Sequence, residues 1–477
     1  MNIPQKGMDR ETIMKKLGEF RSGDMDSKSG KIWGYVYSAG KEAEKVSKEA
    51  YLMYLSENAL DPTVYPSMLK METEIIGMAR SHLQGDDEVV GNFTSGGTES
   101  CILAVKTARD RTRALKPHIK EPEMILPITG HACFHKAGKY LGVKPVVVPV
   151  DPETFKVKAD VVREAITDNT ILLVGSAPSY AHGVVDPIPE LGQLALEKDL
   201  MLHVDGCIGA FLLPYFRRLG EEVVDFDFTV PGVTSISMDL HKYGFAAKGA
   251  SVIMYRNKQI RQYQIFSCST WTGYTVINST IQSSRTGGPI AAAWAVLNFL
   301  GDEGYMELAR SLRDATRKII EGVEKIDGLR VLGKPEMTLI PIASDGPSVF
   351  HIADEMLERD WYIQPQLRQN GYEENFHLSV SPPNVPLVDQ LLVDLKESVE
   401  SARKIKPRGV ADMVKEGLGS MSPDELTDET LAGMLDMAGM KGFTLPDRMA
   451  DINQIMNVMP REIVDRLLVV FFNEIFR

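Results

Sequence analysis

From about residue 88 to 300 the chain alternates short apolar runs with longer amphipathic stretches. The runs predict strands at Val89–Phe93, Met124–Ile128, Pro145–Val150, Thr170–Val174, Leu200–Val204, Thr234–Met238 and Ser251–Tyr255. They are dense in Val, Ile and Leu rather than alternating, as strands covered on both faces are. Helical stretches between most of them predict a mainly parallel sheet in an α/β layer architecture. Upstream lie a helix Arg10–Phe20, a Gly/Ser/Asp-rich linker, the run Ile32–Ser38 and a mixed-charge helix Lys41–Leu55. Asp61-Pro62 and Tyr65-Pro66 break the chain before a helix from about Ser67 to Leu83. From about 320 to 405 the rhythm changes: strands at Leu329–Leu332, Met337–Ala343, Tyr362–Pro365 and Phe376–Ser381 surround a helix Ser348–Arg359, and a helix Val385–Lys404 closes the unit. The chain thus divides into an N-terminal helical segment (1–58), a large α/β domain (59–318), a smaller α+β domain (319–407) and a C-terminal helical extension (408–477).

With 477 residues the chain can bury a large core. A net charge of −12 argues against nucleic-acid binding through a basic face. Cys101, Cys133, Cys207 and Cys268 stand at no metal or redox spacing, so no metal site and a reducing, cytoplasmic setting are expected. No apolar run reaches the ~18 residues that span a bilayer. Leu467–Phe472 is short and reads as a buried helix face.

Four segments carry chemistry, each at a strand end. Thr94-Ser95-Gly96-Gly97-Thr98-Glu99-Ser100 turns from strand to helix; its glycines let backbone approach a ligand, and Thr98 with the first N–H groups can meet an anion. Alone it reads equally as a turn capped by Thr98. His131, after another strand, can stack on a flat ring or simply hydrogen-bond in its loop. Asp205 ends an apolar strand, where open α/β sheets bind ligands, with Cys207 two residues on and on the same face. A carboxylate there needs a partner, such as a protonated pyridine nitrogen, or it is a helix cap. Lys242, beside His241, lies in a loop between two strands; shielding from water would lower its pKa and free it to attack an aldehyde. A further loop, Ala177–Pro187, holds His182, readable as functional or as a turn cap. Together, cradle, stacking histidine, strand-end aspartate and loop lysine suit pyridoxal 5′-phosphate (PLP).

These motifs, with His203-Val204-Asp205, Gly232–Ser237, His241–Gly249, His182–Pro187 and Ser284-Arg285-Thr286-Gly287-Gly288, resemble the sphingosine-1-phosphate lyase family of group II PLP-dependent decarboxylases. The resemblance runs from about Ile32 to Lys404. It implies PLP fold type I (aspartate aminotransferase-like), with a mainly parallel seven-stranded sheet. It implies Lys242 as the Schiff-base lysine, Asp205 on the ring nitrogen, His131 on the ring face, and Gly97, Thr98 and His241 near the phosphate. Lys248 matches a second active-site lysine and Tyr37 an active-site tyrosine. A homodimer with shared sites is implied, the Arg285–Gly288 loop reaching the partner's cofactor. Two positions depart from the family: Asp61 stands for a histidine near the substrate phosphate, and Val276 for a tyrosine. An ionised aspartate facing that phosphate repels it by about 1–4 kcal/mol at about 4 Å, and Lys248 is a candidate to neutralise it.

The function expected is carbon–carbon cleavage of a phosphorylated amino alcohol to an aldehyde and phosphoethanolamine, with Lys242, Lys248 and Tyr37 as acid–base candidates. The alternative is an amino-acid decarboxylase, whose substrate carboxylate would need a cation, Arg285 or Arg368. A third reading, a non-enzymatic protein on a PLP fold, is opposed by the intact Lys242 and Asp205.

Overall fold

The computed structural model describes residues 2–406, 409–420, 433 and 446–476. Seven strands form the central sheet: β1 (Val90–Thr94), β2 (Glu123–Pro127), β3 (Lys144–Val148), β4 (Thr170–Ser176), β5 (Met201–Asp205), β6 (Ser235–Asp239) and β7 (Ser251–Tyr255), in the order β1-β7-β6-β5-β4-β2-β3. Strands β2 to β6 run parallel, and every residue of β2, β4, β5, β6 and β7 is buried. This double burial is why they read as continuous apolar runs. Strand β7 is antiparallel to both of its neighbours, β6 and β1. It turns back beside β6 and so draws β1, distant in sequence, next to the loop that holds Lys242.

Parallel strands deliver their carboxyl ends to one edge, where the connecting loops form a crevice. Helix Gly97–Leu115 begins there, directly after β1. Helix Ala132–Leu141 begins there after β2, with His131 as its N-cap. Asp205 is the last residue of β5 and Asp239 the last of β6.

A second sheet, β10-β11-β13-β12, is antiparallel: β10 (Leu329–Val331), β11 (Leu339–Ser344), β12 (Gln364–Gln366) and β13 (Asn375–Ser379). A two-stranded ribbon of β8 (Phe266–Cys268) and β9 (Val276–Asn278) lies between the sheets in sequence. Its strands have three residues each and none of them is buried, so no apolar run announces them.

The N-terminal region is not a separate layer. Trp33 is fully buried against Trp361, with ring centroids 6.4 Å apart. The Trp33 N–H donates to Tyr362 O at 2.9 Å and Trp33 O accepts from Ser379 N at 3.0 Å, lacing residues 31–33 to the smaller sheet. Helix Lys41–Met53 then packs on the long helix Gly287–Val323, which bends at Gly301 (φ 57°). Helix Arg10–Phe20 buries no residue.

At the other end, Val414, Ile452, Ile455, Met459, Val464 and Leu467 make a small core. Arg448 ties it to helix Val349–Leu357 through Glu355 at 2.5 Å, with Met449 and Ala450 N–H groups donating to Asp354. The expected burial of Leu467–Phe472 holds for Leu467 alone among its strongly apolar extremes: Leu468, Val469 and Phe472 are exposed. A single helix can turn only one stripe to so small a core.

Candidate active site

Residues Ser95–Thr98, His131, Cys133, Tyr180, Asp205, Cys207, Asp239, His241 and Lys242 meet around a cavity of about 360 Å³ at the carboxyl edge of the sheet. The cradle starts at Gly96, whose φ of 149° no L side chain adopts cheaply. A Cβ at Gly97 would lie 2.7 Å from Cys207 Sγ and 2.8 Å from both Asp239 oxygens. Glu99 holds the loop: its carboxylate accepts from Ser95 N at 2.6 Å and from Ile281 N at 2.7 Å. The open N–H groups of the first helical turn therefore face the cavity as an anion cradle.

Asp205 Oδ1 accepts from Cys207 N at 3.1 Å and from the Ser237 hydroxyl at 3.4 Å. Burial alone would raise this carboxyl, but His131, the Cys207 hydrogen bond and His203 hold it below its ordinary value, so it stays ionised. His131 Nδ1 accepts from Cys133 N at 3.2 Å, which leaves the proton on Nε2. His131 is thus both the helix cap and a wall of the cavity. His241 Nδ1 donates to Ala250 O at 2.7 Å and turns Nε2 toward Asp239 Oδ2 at 3.7 Å.

Lys242 departs from expectation. Burial is the largest single influence and pushes its ammonium down, but Asp239 Oδ2, 3.0 Å from Nζ, acting together with Cys207, Tyr37 and Asp205, more than offsets it and raises the pKa well above the ordinary lysine value. The lysine is the charged, half-buried member of an ion pair whose carboxylate is buried. Asp239 was missed in the sequence, although it ends a strand just as Asp205 does and sits three residues before the lysine. Its Oδ1 is buried with no donor.

Tyr37 and Lys248 stand beside this group. The Lys248 ammonium lies 4.9 Å from the centre of the Tyr37 ring and donates to Tyr35 O at 3.0 Å. Tyr37 packs edge-on against Tyr243 at 5.2 Å. Burial raises the Tyr37 phenol to about 12, against the opposing pull of Lys242. Burial and then repulsion from Lys242 lower Lys248. A lowered lysine beside a raised tyrosine forms a proton-transfer pair.

Other expected residues lie elsewhere in the chain. Asp61 is exposed and closes a local turn, accepting from Thr63 N at 2.8 Å and Thr63 Oγ1 at 2.6 Å, while Lys248 is engaged by Tyr35. Arg285 is paired with Glu72 at 2.8 Å and also donates to Phe93 O, behind the cradle strand. Gly288 is buried; a Cβ there would meet the Tyr51 ring at 2.9 Å. Arg368 pairs with Glu374 at the surface. His182 stacks on Phe155 at 4.0 Å and burial lowers it to about 4, so it is a packing residue.

The donor set fits PLP. The cradle has space only because Gly97 lacks a side chain, an ionised carboxylate waits at the sheet edge, an imidazole walls the cavity, and a lysine reaches into it. Residues 37–342 match the family model described as the pyridoxal-dependent decarboxylase conserved domain, and residues 410–474 match a C-terminal HTH domain model of pyridoxal-dependent enzymes. A sphingosine-1-phosphate lyase of Arabidopsis thaliana is 38% identical over 91% of this chain and 80% of that protein. A Pyrococcus furiosus protein named "Probable L-aspartate decarboxylase" is 34% identical over 76% of this chain and 95% of its own length. The solved sphingosine-1-phosphate lyase of Burkholderia pseudomallei superposes with a TM-score of 0.81 at 36% identity, covering 89% of this chain and 98% of that one.

Proposed function

Because this chain belongs to the pyridoxal-dependent decarboxylase family, with sphingosine-1-phosphate lyases among its relatives, we propose that it is a PLP-dependent carbon–carbon lyase. It cleaves a phosphorylated long-chain amino alcohol to an aldehyde and phosphoethanolamine. The observation that carries this is the cavity joining Lys242, Asp205, His131 and the Ser95–Thr98 cradle in a chain similar to such lyases over most of its length.

When bound, the cofactor supplies an electron sink for the breaking carbon–carbon bond. The protein's residues do the rest. First-turn N–H groups of Gly97 and Thr98 would hold the phosphate. Asp205 would keep the pyridine nitrogen protonated, and its own hydrogen bonds fix its aim. His131 would cover the ring and exclude water. Lys242 is the amine that would anchor the cofactor's aldehyde. Lys248, with its lowered pKa, takes the hydroxyl proton, and Tyr37, raised to about 12, returns a proton to carbon.

The decarboxylase alternative has the archaeal relative in its favour. It needs a cation for the substrate carboxylate, and among the described residues no arginine lines the cavity. Arg285 and Arg368 are committed to Glu72 and Glu374. We further propose a cytoplasmic homodimer. Its support is a groove of about 480 Å³ lined by Leu60, Met68, Leu69, Ile76, Ile265 and Ile277, and cysteines that are all free. Among the described residues no helix is long and apolar enough to cross a membrane.

The test is purified protein with PLP, given a phosphorylated sphingoid base, L-aspartate or L-glutamate in parallel. Aldehyde and phosphoethanolamine in equal amounts from the first are expected. Carbon dioxide from an amino acid, with no aldehyde from the sphingoid base, would overturn the lyase in favour of the decarboxylase. Sedimentation mass across a dilution series reads the dimer.

A further inference from the structure

Three cysteines with no regular spacing in sequence converge beneath the cavity. Cys101 lies on helix Gly97–Leu115, Cys133 on the first turn of helix Ala132–Leu141, and Cys207 just beyond β5. Cys101 Sγ is 3.9 Å from Cys207 Sγ. The ligand atoms of Cys101, Cys133 and Asp205 all lie within 4.8 Å of one another, and all three residues are buried. The lyase chemistry above uses Asp205 and gives the thiols no part.

We propose that Cys101, Cys133 and Asp205 form a site for a thiophilic divalent cation such as Zn²⁺ or Cd²⁺, open in the cofactor-free chain and closed by PLP. Two sulfurs and one carboxylate oxygen are a ligand set such cations take, with metal–sulfur bonds of about 2.3 Å and metal–oxygen bonds of about 2.0–2.2 Å. The measured separations need only a small inward movement of side chains to meet those lengths. A fourth position is left for water or for Cys207, already at van der Waals range of Cys101. Cys133 lies in the first turn of its helix and Cys101 one turn into its own, and burial helps keep both thiols protonated until a metal displaces the protons. The outer contacts exist as well: Asp205 Oδ1 is held by Cys207 N, and Ser237 Oγ accepts from Cys207 Sγ at 3.1 Å.

The binding step balances in charge and protons. One M²⁺, two thiols and one carboxylate give an M(thiolate)₂(carboxylate) centre of net charge −1 and release two protons. Affinity therefore rises up to 100-fold per pH unit while both thiols are protonated in the free site. The exclusion follows from Asp205, because a divalent cation on its carboxylate neutralises the negative charge that would hold a pyridinium proton and places a second positive charge beside it. This part rests on the PLP reading; the metal site itself does not.

Cd²⁺ added to full-length, reduced, cofactor-stripped protein should give an ultraviolet cadmium–thiolate charge-transfer band that saturates at one equivalent, with two protons released. Cys101→Ser and Cys133→Ser should each weaken binding at least tenfold, while Cys268→Ser, on the distant ribbon, should leave it unchanged. Saturating PLP should abolish the band, and prior Cd²⁺ should slow cofactor uptake in proportion to occupancy. Equal Cd²⁺ binding by a folded Cys101→Ser/Cys133→Ser variant would overturn the site. A wild-type cadmium band that persists once PLP has saturated its own visible band would overturn the exclusion without any variant. If PLP gives no visible band at all, the lyase reading fails while the cadmium titration still decides the metal site.

Discussion

Replacing Asp239 with asparagine tests what holds Lys242 charged. The ammonium stands 3.0 Å from Asp239 Oδ2, and the carboxylate is almost wholly buried. Burial disfavours the charged lysine, yet its pKa is raised, because Asp239, the largest of the raising influences, is joined by Cys207, Tyr37 and Asp205. At the observed 3.0 Å and an effective dielectric of about 20, the attraction is about 5.5 kcal/mol, or about four pH units. Asparagine keeps the shape and one oxygen, so half of this is a conservative expectation: the lysine pKa falls by about two. Only the free amine reacts with trinitrobenzenesulfonate. In the cofactor-free protein, labelling at Lys242, read by peptide mapping at a fixed pH between neutrality and 9, should therefore rise about 100-fold in Asp239→Asn. Labelling at exposed Lys45 serves as the internal reference and should not change. A Lys242 rate within threefold of wild type, in a protein with unchanged circular dichroism, would refute the claim that Asp239 sets the charge of the lysine.

Gly97→Ala should weaken PLP binding at least tenfold by visible titration while the protein stays folded, since the new methyl enters the space 2.7–2.8 Å from Cys207 and Asp239. Tyr37→Phe should lower turnover by about 10²–10⁴-fold with cofactor affinity nearly unchanged, as loss of an acid–base group does. Trp33→Ala should cost about 3–5 kcal/mol in urea unfolding, because a fully buried indole between the N-terminal segment and the smaller sheet leaves a cavity. His203 and His182, lowered to about 4, and His377, lowered to about 3, stay neutral when folded but charge when unfolded below about 6.5. The unfolded chain then binds more protons, so their contribution to stability is lost as pH falls from about 6.5 toward 4, and the urea midpoint should drop over that range and less so in His203→Gln.

The central sheet was legible because its strands are buried on both faces and so announce themselves as Val/Ile/Leu runs ending in polar residues. Asp205, His131 and Lys242 were legible for the same reason: each follows such a run, and a parallel sheet brings those ends to one edge. Asp239 was equally available by that rule and was eclipsed by the lysine three residues later. The cysteine cluster was not legible, because it depends on which helices abut β5 rather than on spacing along the chain. Asp61 and Arg285 show another limit. Thr63 satisfies the one and Glu72 the other, and neither partner stands out in a motif. The β8–β9 ribbon escaped because three-residue strands with no buried residue carry no burial pattern.

Strand β1 hydrogen-bonds to β7 and to no other strand of its sheet. During synthesis, then, the phosphate cradle leaves the ribosome long before the strand that will pin it in place. A nascent chain that ends before Ser251 carries the cradle on an unpaired edge and has no return strand behind Lys242. A cofactor site built on that cradle is consequently complete only late in synthesis, once Ser251–Tyr255 has paired with β1.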